Sequence, residues 1–413
     1  MTQQTADQRY YKSSLGLKKE IEGEVAGDYH SAIVDELRAN GQRLDTPAFS
    51  VRLAKEFGFC YGVDKAIDMA YEARRKFPDR RLFLTTELIH NPRVNARMRE
   101  MGIEFLTGDH KCGVAIDDIQ PEDVVLIPAF GVSVEELERY KSRGCIIVDT
   151  TCGSVVHVWK RVEKYAKDGF TSLIHGKFYH EETIATTSHA SNNGGPYIVV
   201  RDLPQAELVC GFIRGQRDAR EVLDTLKLGL SKGFDPARDL ARIGVANQTT
   251  MLASESLEIA RLVGDAMKDR YGAAALPEHF RSFDTICSAT QDRQDAIRTL
   301  LDEERIDLML VVGGYNSSNT NNLVIMGLEK CPTYHISDAA ELLSAKELRH
   351  KPPKQNDLLL VDGWLPEGHF TLGITAGAST PNRAIGETIE RIASFKGMSA
   401  ADLLAAARQA NPA

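Results

Sequence analysis

The sequence predicts an α/β protein built from several domains. From about residue 50 onward, short apolar runs of strand length alternate with amphipathic helical patterns, the signature of α/β architecture. The 413 residues exceed one ordinary domain, at roughly 100–200 residues each. Hydrophobic residues make up 43% and charged residues 26%, enough apolar side chain to fill a core throughout. No low-complexity linker divides the chain.

The expected strands, in order, are LFLTT (82–86), VVLIPAF (124–130), CIIVD (145–149), YIVV (197–200), IGVAN (243–247), DLMLVVG (307–313), DLLLVDG (357–363) and TLGITAG (371–377). Between them the helices announce themselves by period. Val63, Ala66, Ile67, Ala70 and Tyr71 lie on one helical face within residues 62–76, at the i, i+3, i+4, i+7 and i+8 positions. Asn91 followed by Pro92 reads as a helix cap and first helical residue, and Gly102 ends that helix. Ser154 is expected to cap a helix through Val155, Val158, Val162 and Ala166. Residues 203–241 and 339–369 read as longer excursions, and SAADLLAAARQANPA as a short terminal helix. The expected division is an N-terminal extension over 1–50, α/β domains over 51–151, 152–286 and 287–396, and a tail over 397–413.

A formal net charge of −8 argues against a general nucleic-acid binder, which would carry a basic stripe. No run of about 18 apolar residues occurs, so no membrane span is expected. The opening MTQQTADQRYYKSSLGLKKE lacks the apolar stretch of a secretory signal. Asp7 and the acidic stretch from Glu20 argue against a transit peptide. A bacterial cytoplasmic location is expected in preference to the plastid stroma.

Seven cysteines, with no CxxC pair, do not form a secreted disulfide pattern. Three share one context: Cys60 in RLAKEFGFCYGVDKA, Cys152 in IIVDTTCGSVVHV and Cys287 in SFDTICSATQDRQ. Each follows an apolar or aromatic stretch and precedes a predicted helix. A helix start favours a thiolate through its dipole and free N–H groups, and thiolates suit iron–sulfur clusters and zinc. Taken alone, this context leaves three unrelated core cysteines as an equal reading. Cys145 and Cys210 fall in strand-like core runs, Cys112 in a polar loop, and Cys331 after a helix before Pro332.

Two segments predict anion sites. In GGYNSSNTNNLVIMG, Ser317, Ser318 and Asn319 open a helix after an apolar strand. In ITAGASTPNRAIGE, Ser379 or Thr380 caps a helix whose first residue is Pro381. Free N–H groups at a helix start suit a phosphate or diphosphate, although ordinary capping accounts for either segment by itself. His90 in TTELIHNPRV, and His180 and Glu182 in HGKFYHEETIATTS, also follow apolar strands. Beside an anion site, two histidines can balance phosphate charge and a glutamate can move a proton. Thr249 in VANQTTML places a hydroxyl at a strand end.

GFCYGVDKAI, ELIHNPRV, DTTCGSV, the HEE of 180–182, NQTTM, ICSATQDRQDA, YNSSNTNNL and TAGASTP occur in that order across residues 57–382. The set resembles the 4-hydroxy-3-methylbut-2-enyl diphosphate reductases, over about residues 52–396. The resemblance implies a trefoil of three α/β domains around a central iron–sulfur cluster. It implies one [4Fe–4S] cluster held by Cys60, Cys152 and Cys287, with one iron lacking a protein ligand. It matches His90, His180, Ser317, Asn319 and Ser379 to diphosphate ligands, with Ser318 beside them. Glu182 matches the proton-relay carboxylate, with Thr249 next to it. The implied reaction is reductive dehydroxylation of the allylic diphosphate to isopentenyl and dimethylallyl diphosphate, the last step of the non-mevalonate isoprenoid pathway. Reduced ferredoxin or flavodoxin is the implied electron donor. One position departs from the commonest bacterial pattern: PAFGVS carries Phe130 where an AHGVS-like segment has histidine. With the extended N-terminus, this looks like the longer form of cyanobacteria and plants. Phe130 is expected to wall the substrate cavity, the alternative being a place in the domain core. Two rival functions remain at this point: a non-enzymatic iron–sulfur sensor or electron carrier, and a metal-free phosphosugar-binding protein.

Overall fold

The computed structural model describes residues 9–353 and 355–409. The first eight residues of the expected extension and the last four of the expected tail lie outside them. Sixteen strands lie among the described residues: β1 (Tyr10–Tyr11), β2 (Arg43–Asp45), β3 (Ser50–Leu53), β4 (Leu82–Leu84), β5 (Ile103–Phe105), β6 (Val124–Ile127), β7 (Ile146–Asp149), β8 (Thr171–His175), β9 (Tyr197–Val200), β10 (Ile243–Asn247), β11 (Phe280–Ser282), β12 (Leu308–Val312), β13 (Thr333–Ile336), β14 (Glu347–His350), β15 (Leu359–Asp362) and β16 (Thr371–Ala376).

They make three sheets and a hairpin. The sheets contain the runs β7-β6-β4-β5, β11-β10-β8-β9 and β3-β16-β12-β13, parallel throughout. Each run is built in one order: the chain enters at the third position, moves to the fourth, returns to the second and ends at the first. In the last run the first position is filled by β3, from the beginning of the described chain, so that unit is circularly permuted. Parallel neighbours require crossover segments, usually helices, which cover the sheet faces. That is why VVLI of β6 and LMLVV of β12 are apolar without alternation and wholly buried.

By its contacts the chain divides into two units. One holds residues up to Ser13, Phe77–Glu87 and Gly102–Cys287, and so contains the first two sheets. The other holds Ser14–Lys76, Leu88–Met101 and Ser288 onward, with the third sheet. The expected 51–151 segment is thus threaded through both, because β3 hydrogen-bonds beside β16 rather than beside a strand of its own segment. In the second unit Leu310, Val312, Leu372 and Ile374 pack with Ile385, Ile389 and Ile392 of the helix Asn382–Phe395, and with Ile33 and Leu37 of the helix Ala32–Ala39. Each such side chain contributes about 1.5–3 kcal/mol by leaving water.

The N-terminal segment is integral to both units. β1 lies parallel to β7 and β2 antiparallel to β3, closing the outer edges of two sheets. Further on, the buried Glu72 carboxylate accepts hydrogen bonds from Ser14 Oγ (2.7 Å), Leu15 N–H (2.6 Å) and Leu17 N–H (2.9 Å). No helix among the described residues is long and apolar enough to cross a membrane.

Several expected elements differ. DLLLVDG is not a core strand: β15 pairs only with β14, antiparallel, and leaves Leu359 and Leu360 exposed. Cys210 is buried in a helix, Leu203–Ile213, started by the Asp202 carboxylate capping Gln205 N–H. The helix Gly153–Lys167 is capped by Cys152 rather than Ser154. Pro381 is the cap residue of Asn382–Phe395 and not its first turn. Thr380 Oγ1 bonds to the Val312 carbonyl instead of capping. The expected cap at Asn91 is present, its side chain accepting from Arg93 and Val94 N–H.

Candidate active site

In the first unit the site is built where strands end and helices begin. Cys152 follows β7 and caps its helix, its carbonyl accepting from Val156 N–H. Its own N–H donates to the Ala129 carbonyl (2.9 Å), in the loop after the neighbouring strand β6. Asp149 Oδ1 accepts from Thr151 N–H and hydroxyl, and its other oxygen accepts from Tyr10 of β1 (2.7 Å), so the approach to Cys152 is braced. Phe130, next to Ala129, is buried with its ring edge-on to His180, centroids 6.1 Å apart. Gly131 turns with φ +76°, and a Cβ there would meet the Trp159 ring at 2.4 Å, so only glycine lets the loop pass.

His180 follows β8 and caps the helix Glu181–Asn192. Its Nδ1 accepts from Glu182 N–H (3.2 Å), which in a neutral ring leaves the proton on Nε2. Glu182 is 2% exposed. Thr249, just past β10, donates its N–H to Glu182 Oε1 (2.6 Å) and its hydroxyl to Oε2 (2.9 Å). The Thr249 carbonyl accepts from Cys287 N–H (3.2 Å). Cys287 follows β11 and precedes the helix Ser288–Glu303. The unit therefore links Cys152, Phe130, His180, Glu182, Thr249 and Cys287 in one unbroken series of contacts.

The second unit repeats the arrangement. Cys60 precedes the helix Tyr61–Lys76, its carbonyl accepting from Asp64 N–H (2.9 Å). Its N–H donates to the Ala378 carbonyl (3.2 Å), in the loop after β16, the strand beside β3. Beside it, Ser379 Oγ donates to the His90 carbonyl (3.3 Å). A Cβ on Gly314 would sit 2.1 Å from that same carbonyl oxygen, so the loop after β12 can approach His90 only as glycine. Ser317 caps the helix Ser318–Leu328, accepting from Thr320 N–H (3.2 Å), and Ser318 is its buried first residue. Asn319 Oδ1 accepts from Ala378 N–H (3.1 Å), while its buried Nδ2 has no hydrogen-bond partner. A buried amide donor without a partner is costly and suits a site awaiting an anionic oxygen. Cys60, His90, Ser317, Ser318, Asn319 and Ser379 thus gather in this unit.

Other residues hold these groups in place and gave no distinct sequence signal. Gln248 Oε1 accepts from Lys177 N–H and from Thr183 Oγ1, tying the loop before His180 to the loop carrying Thr249. Thr285 Oγ1 accepts from Asn247 N–H (2.6 Å) and donates to its carbonyl (2.8 Å), fixing the turn into Cys287. Arg293, 4% exposed, donates through Nη2 to the Gly58 carbonyl (2.6 Å), two residues before Cys60.

None of the seven cysteines forms a disulfide, but their surroundings differ. Cys60, Cys152 and Cys287 are half-buried at helix starts. Burial pushes Cys145 and Cys210 up to about 11 and also raises Cys331, so these thiols stay protonated. Cys112 is exposed in a loop. The donor set at the first three positions fits a thiolate-held cluster.

Residues 51–393 match the family described as LytB protein. The chain belongs to that family. Among its curated relatives, the 4-hydroxy-3-methylbut-2-enyl diphosphate reductase of Gloeobacter violaceus is 46% identical over 393 residues, 94% of this chain and 93% of the relative. The enzyme of the same name from Thermosynechococcus vestitus is 45% identical over 389 residues, 94% and 95% of the two chains. A solved (E)-4-hydroxy-3-methyl-but-2-enyl diphosphate reductase, the terminal enzyme of the non-mevalonate pathway, is 26% identical with a TM-score of 0.51, covering 83% of this chain and 99% of its own. A reductase structure from Plasmodium falciparum is 20% identical with a TM-score of 0.59, covering 86% and 91%, a likeness of fold. Family membership agrees with the resemblance seen in the sequence, and the α/β fold is the one expected.

Proposed function

We propose that this protein reduces 4-hydroxy-3-methylbut-2-enyl diphosphate to isopentenyl and dimethylallyl diphosphate, in a bacterial cytoplasm, with one [4Fe–4S] cluster on Cys60, Cys152 and Cys287. The carbon–oxygen bond of the allylic alcohol breaks and a carbon–hydrogen bond forms. Two electrons and two protons are consumed and water leaves. Cys60, Cys152 and Cys287 would hold the cluster, which when bound would supply single electrons and a Lewis-acidic iron for the hydroxyl oxygen.

The observation that carries the reading is the Glu182–Thr249 pair, buried, doubly hydrogen-bonded and joined through the Thr249 carbonyl to the backbone of Cys287. A threonine hydroxyl both donates and accepts. A protonated Glu182 can therefore give its proton to Thr249 Oγ1 as that hydroxyl passes its own to the leaving oxygen. Burial keeps bulk water from short-circuiting the transfer. His180, with Nδ1 engaged, offers Nε2–H to a phosphate oxygen, and Asn319 Nδ2 and the hydroxyls of Ser317, Ser318 and Ser379 offer further donors. His90 adds a second imidazole. Phe130 beside His180 forms an apolar wall for the carbon skeleton. An electron carrier alone has no use for a buried carboxylate clasped by a hydroxyl, and a phosphosugar binder has none for three thiols at matching helix starts.

The test is anaerobic purification, iron and sulfide analysis, and turnover of the allylic diphosphate with a chemical reductant. Singly changing Cys60, Cys152 or Cys287 to Ser should cost cluster and activity, whereas Cys112, Cys145, Cys210 or Cys331 to Ser should keep both. Full iron content and turnover in Cys287→Ser would remove the cluster assignment.

A further inference from the structure

The outer edges of two sheets are closed by the N-terminal segment, β1 on β7 and β2 on β3. The corresponding strand of the remaining sheet, β11, has no further strand beside it among the described residues. Ser282 of β11 is exposed and Arg281 is 38% exposed along its side chain. This open edge borders the helix Gly153–Lys167, whose exposed face is basic. Lys160, Lys164 and Lys167 fall at i, i+4 and i+7, all exposed, with Arg161 flanking them.

Arg161 lies 3.6 Å over the Phe283 ring, its buried Nε without a hydrogen-bond partner. Arg161, Lys164, Tyr165, Asp168, Arg281 and Ser282 line a pocket of about 390 Å³. The carboxylates here are mostly committed. Glu163 takes His189 (2.7 Å), Asp168 pairs with Arg281, and Asp284 accepts from Ile286 N–H. Lys160, Arg161, Lys164, Lys167 and Arg281 therefore stand against Glu163, Asp168 and Asp284, which leaves the ridge a modest positive excess on a chain whose net charge is −8. Both elements run directly into proposed cluster ligands. Cys152 caps this helix, and Cys287 lies five residues beyond Ser282. Lys160, eight residues along the helix from Cys152, is about 12 Å from it along the axis.

We propose that this ridge and the open β11 edge are where a small acidic one-electron carrier protein docks, its carboxylates facing the lysines and one acidic side chain entering the pocket. The proposal rests on the reductase reading, since it is that reaction which needs two electrons delivered from outside the chain. Opposite charge speeds encounter and fixes orientation; the ridge runs away from Cys152 toward Lys167, about 22 Å along the axis, so the carrier's redox centre belongs at the Lys160 end. Two single-electron deliveries complete each turnover.

The experiment compares the cluster-loaded parent with Lys160→Glu/Lys164→Glu/Lys167→Glu, and with a control carrying Arg220→Glu/Arg305→Glu, two highly exposed positions elsewhere. The probe carrier is an acidic plant-type [2Fe–2S] ferredoxin, titrated directly for binding at low and high salt, then used reduced to drive turnover. Dithionite-reduced methyl viologen serves as the small reductant. The ridge variant should bind ferredoxin about tenfold or more weakly at low salt, with the difference shrinking as salt screens the contact. Its viologen-driven turnover should match the parent, and the control should match the parent in every assay. Unchanged ferredoxin binding in the ridge variant, or an equal loss in the control, overturns the docking site. If viologen drives no turnover even in the parent, the reductase reading fails, while the binding titration still decides the ridge.

Discussion

Thr249→Val tests the proton path directly. Valine keeps the shape but removes Oγ1, the donor 2.9 Å from Glu182 Oε2. The two backbone bonds survive: Thr249 N–H to Glu182 Oε1 at 2.6 Å, and Cys287 N–H to the residue-249 carbonyl at 3.2 Å. The carboxylate should therefore stay in place, with iron content unchanged. A lost hydrogen bond to a charged group costs about 1.5–3 kcal/mol, or about 10- to 150-fold if expressed wholly in the transition state. Glu182→Gln keeps an acceptor for Thr249 N–H but carries no transferable proton, and should cost about 10²–10⁴ in kcat.

The decisive quantity is the double variant. If carboxyl and hydroxyl pass one proton in series, removing both is about as slow as the slower single change. If each acts independently, the losses multiply. The assay is single-turnover and steady-state reduction of the diphosphate with a small reductant, on protein matched for iron. Turnover of Thr249→Val within about threefold of parent, or multiplicative losses, would refute the series relay.

Phe130→His should fold and load iron normally but change KM for the diphosphate, because the ring borders His180; a folding defect with unaltered KM would put Phe130 in the core. Burial pushes His175 and His335 down to about 4. As pH falls below 6.5 the unfolded chain takes up protons that the folded chain refuses, so stability is lost progressively toward pH 4. The full loss is ~3 kcal/mol per histidine. Denaturant midpoints that do not move between pH 6.5 and 5 would contradict this. Glu72→Ala strips the acceptor from Ser14, Leu15 and Leu17. Trypsin should then cut faster at Lys12 or Lys18, with about 2–4 kcal/mol lost from the second unit; parent-like cleavage would deny the clamp.

The legible parts of the fold are those fixed locally. β6 and β12 are buried on both faces and read as unbroken apolar runs, and Asn91–Pro92 writes a helix start in two residues. Partner choice is not local. DLLLVDG has a core strand's composition yet pairs with β14 at the surface, and SVRL of β3 pairs with β16, Ser50 lying opposite Thr371. LVCGFI is apolar all round, where period alone cannot separate helix from strand; the Asp202 cap decides it. In the site, the local position that three cysteines share left an unrelated-core reading equally open, and it is the ordered family motifs that single them out as proposed ligands. Gln248, Thr285 and Arg293 were not, because their work is done on backbone groups that only folding brings near.

The repeated topology explains why the chemistry divides as it does. At the end of each first-position strand (β3, β7, β11) stands a cysteine, and its N–H bonds to the loop after the second-position strand. That loop carries Phe130 after β6, Thr249 after β10 and Ser379 after β16. The loop after the third-position strand carries His90 after β4, His180 after β8 and Ser317 after β12. Ligands in open parallel sheets bind at strand C-terminal ends, so three copies of one scaffold present three sets of groups from equivalent places. The cysteine position is the same in all three, as the proposed thiolate-held cluster would require. The second positions differ in every copy, a phenylalanine, a threonine and a serine, while the third positions carry two imidazoles and a helix-capping serine, a set of groups that suits the asymmetric substrate proposed above. Three like strand orders would serve three like ligands equally well, and in the proposed reductase it is the unlike residues at these positions that would suit a molecule with one charged end, one apolar middle and one reacting oxygen.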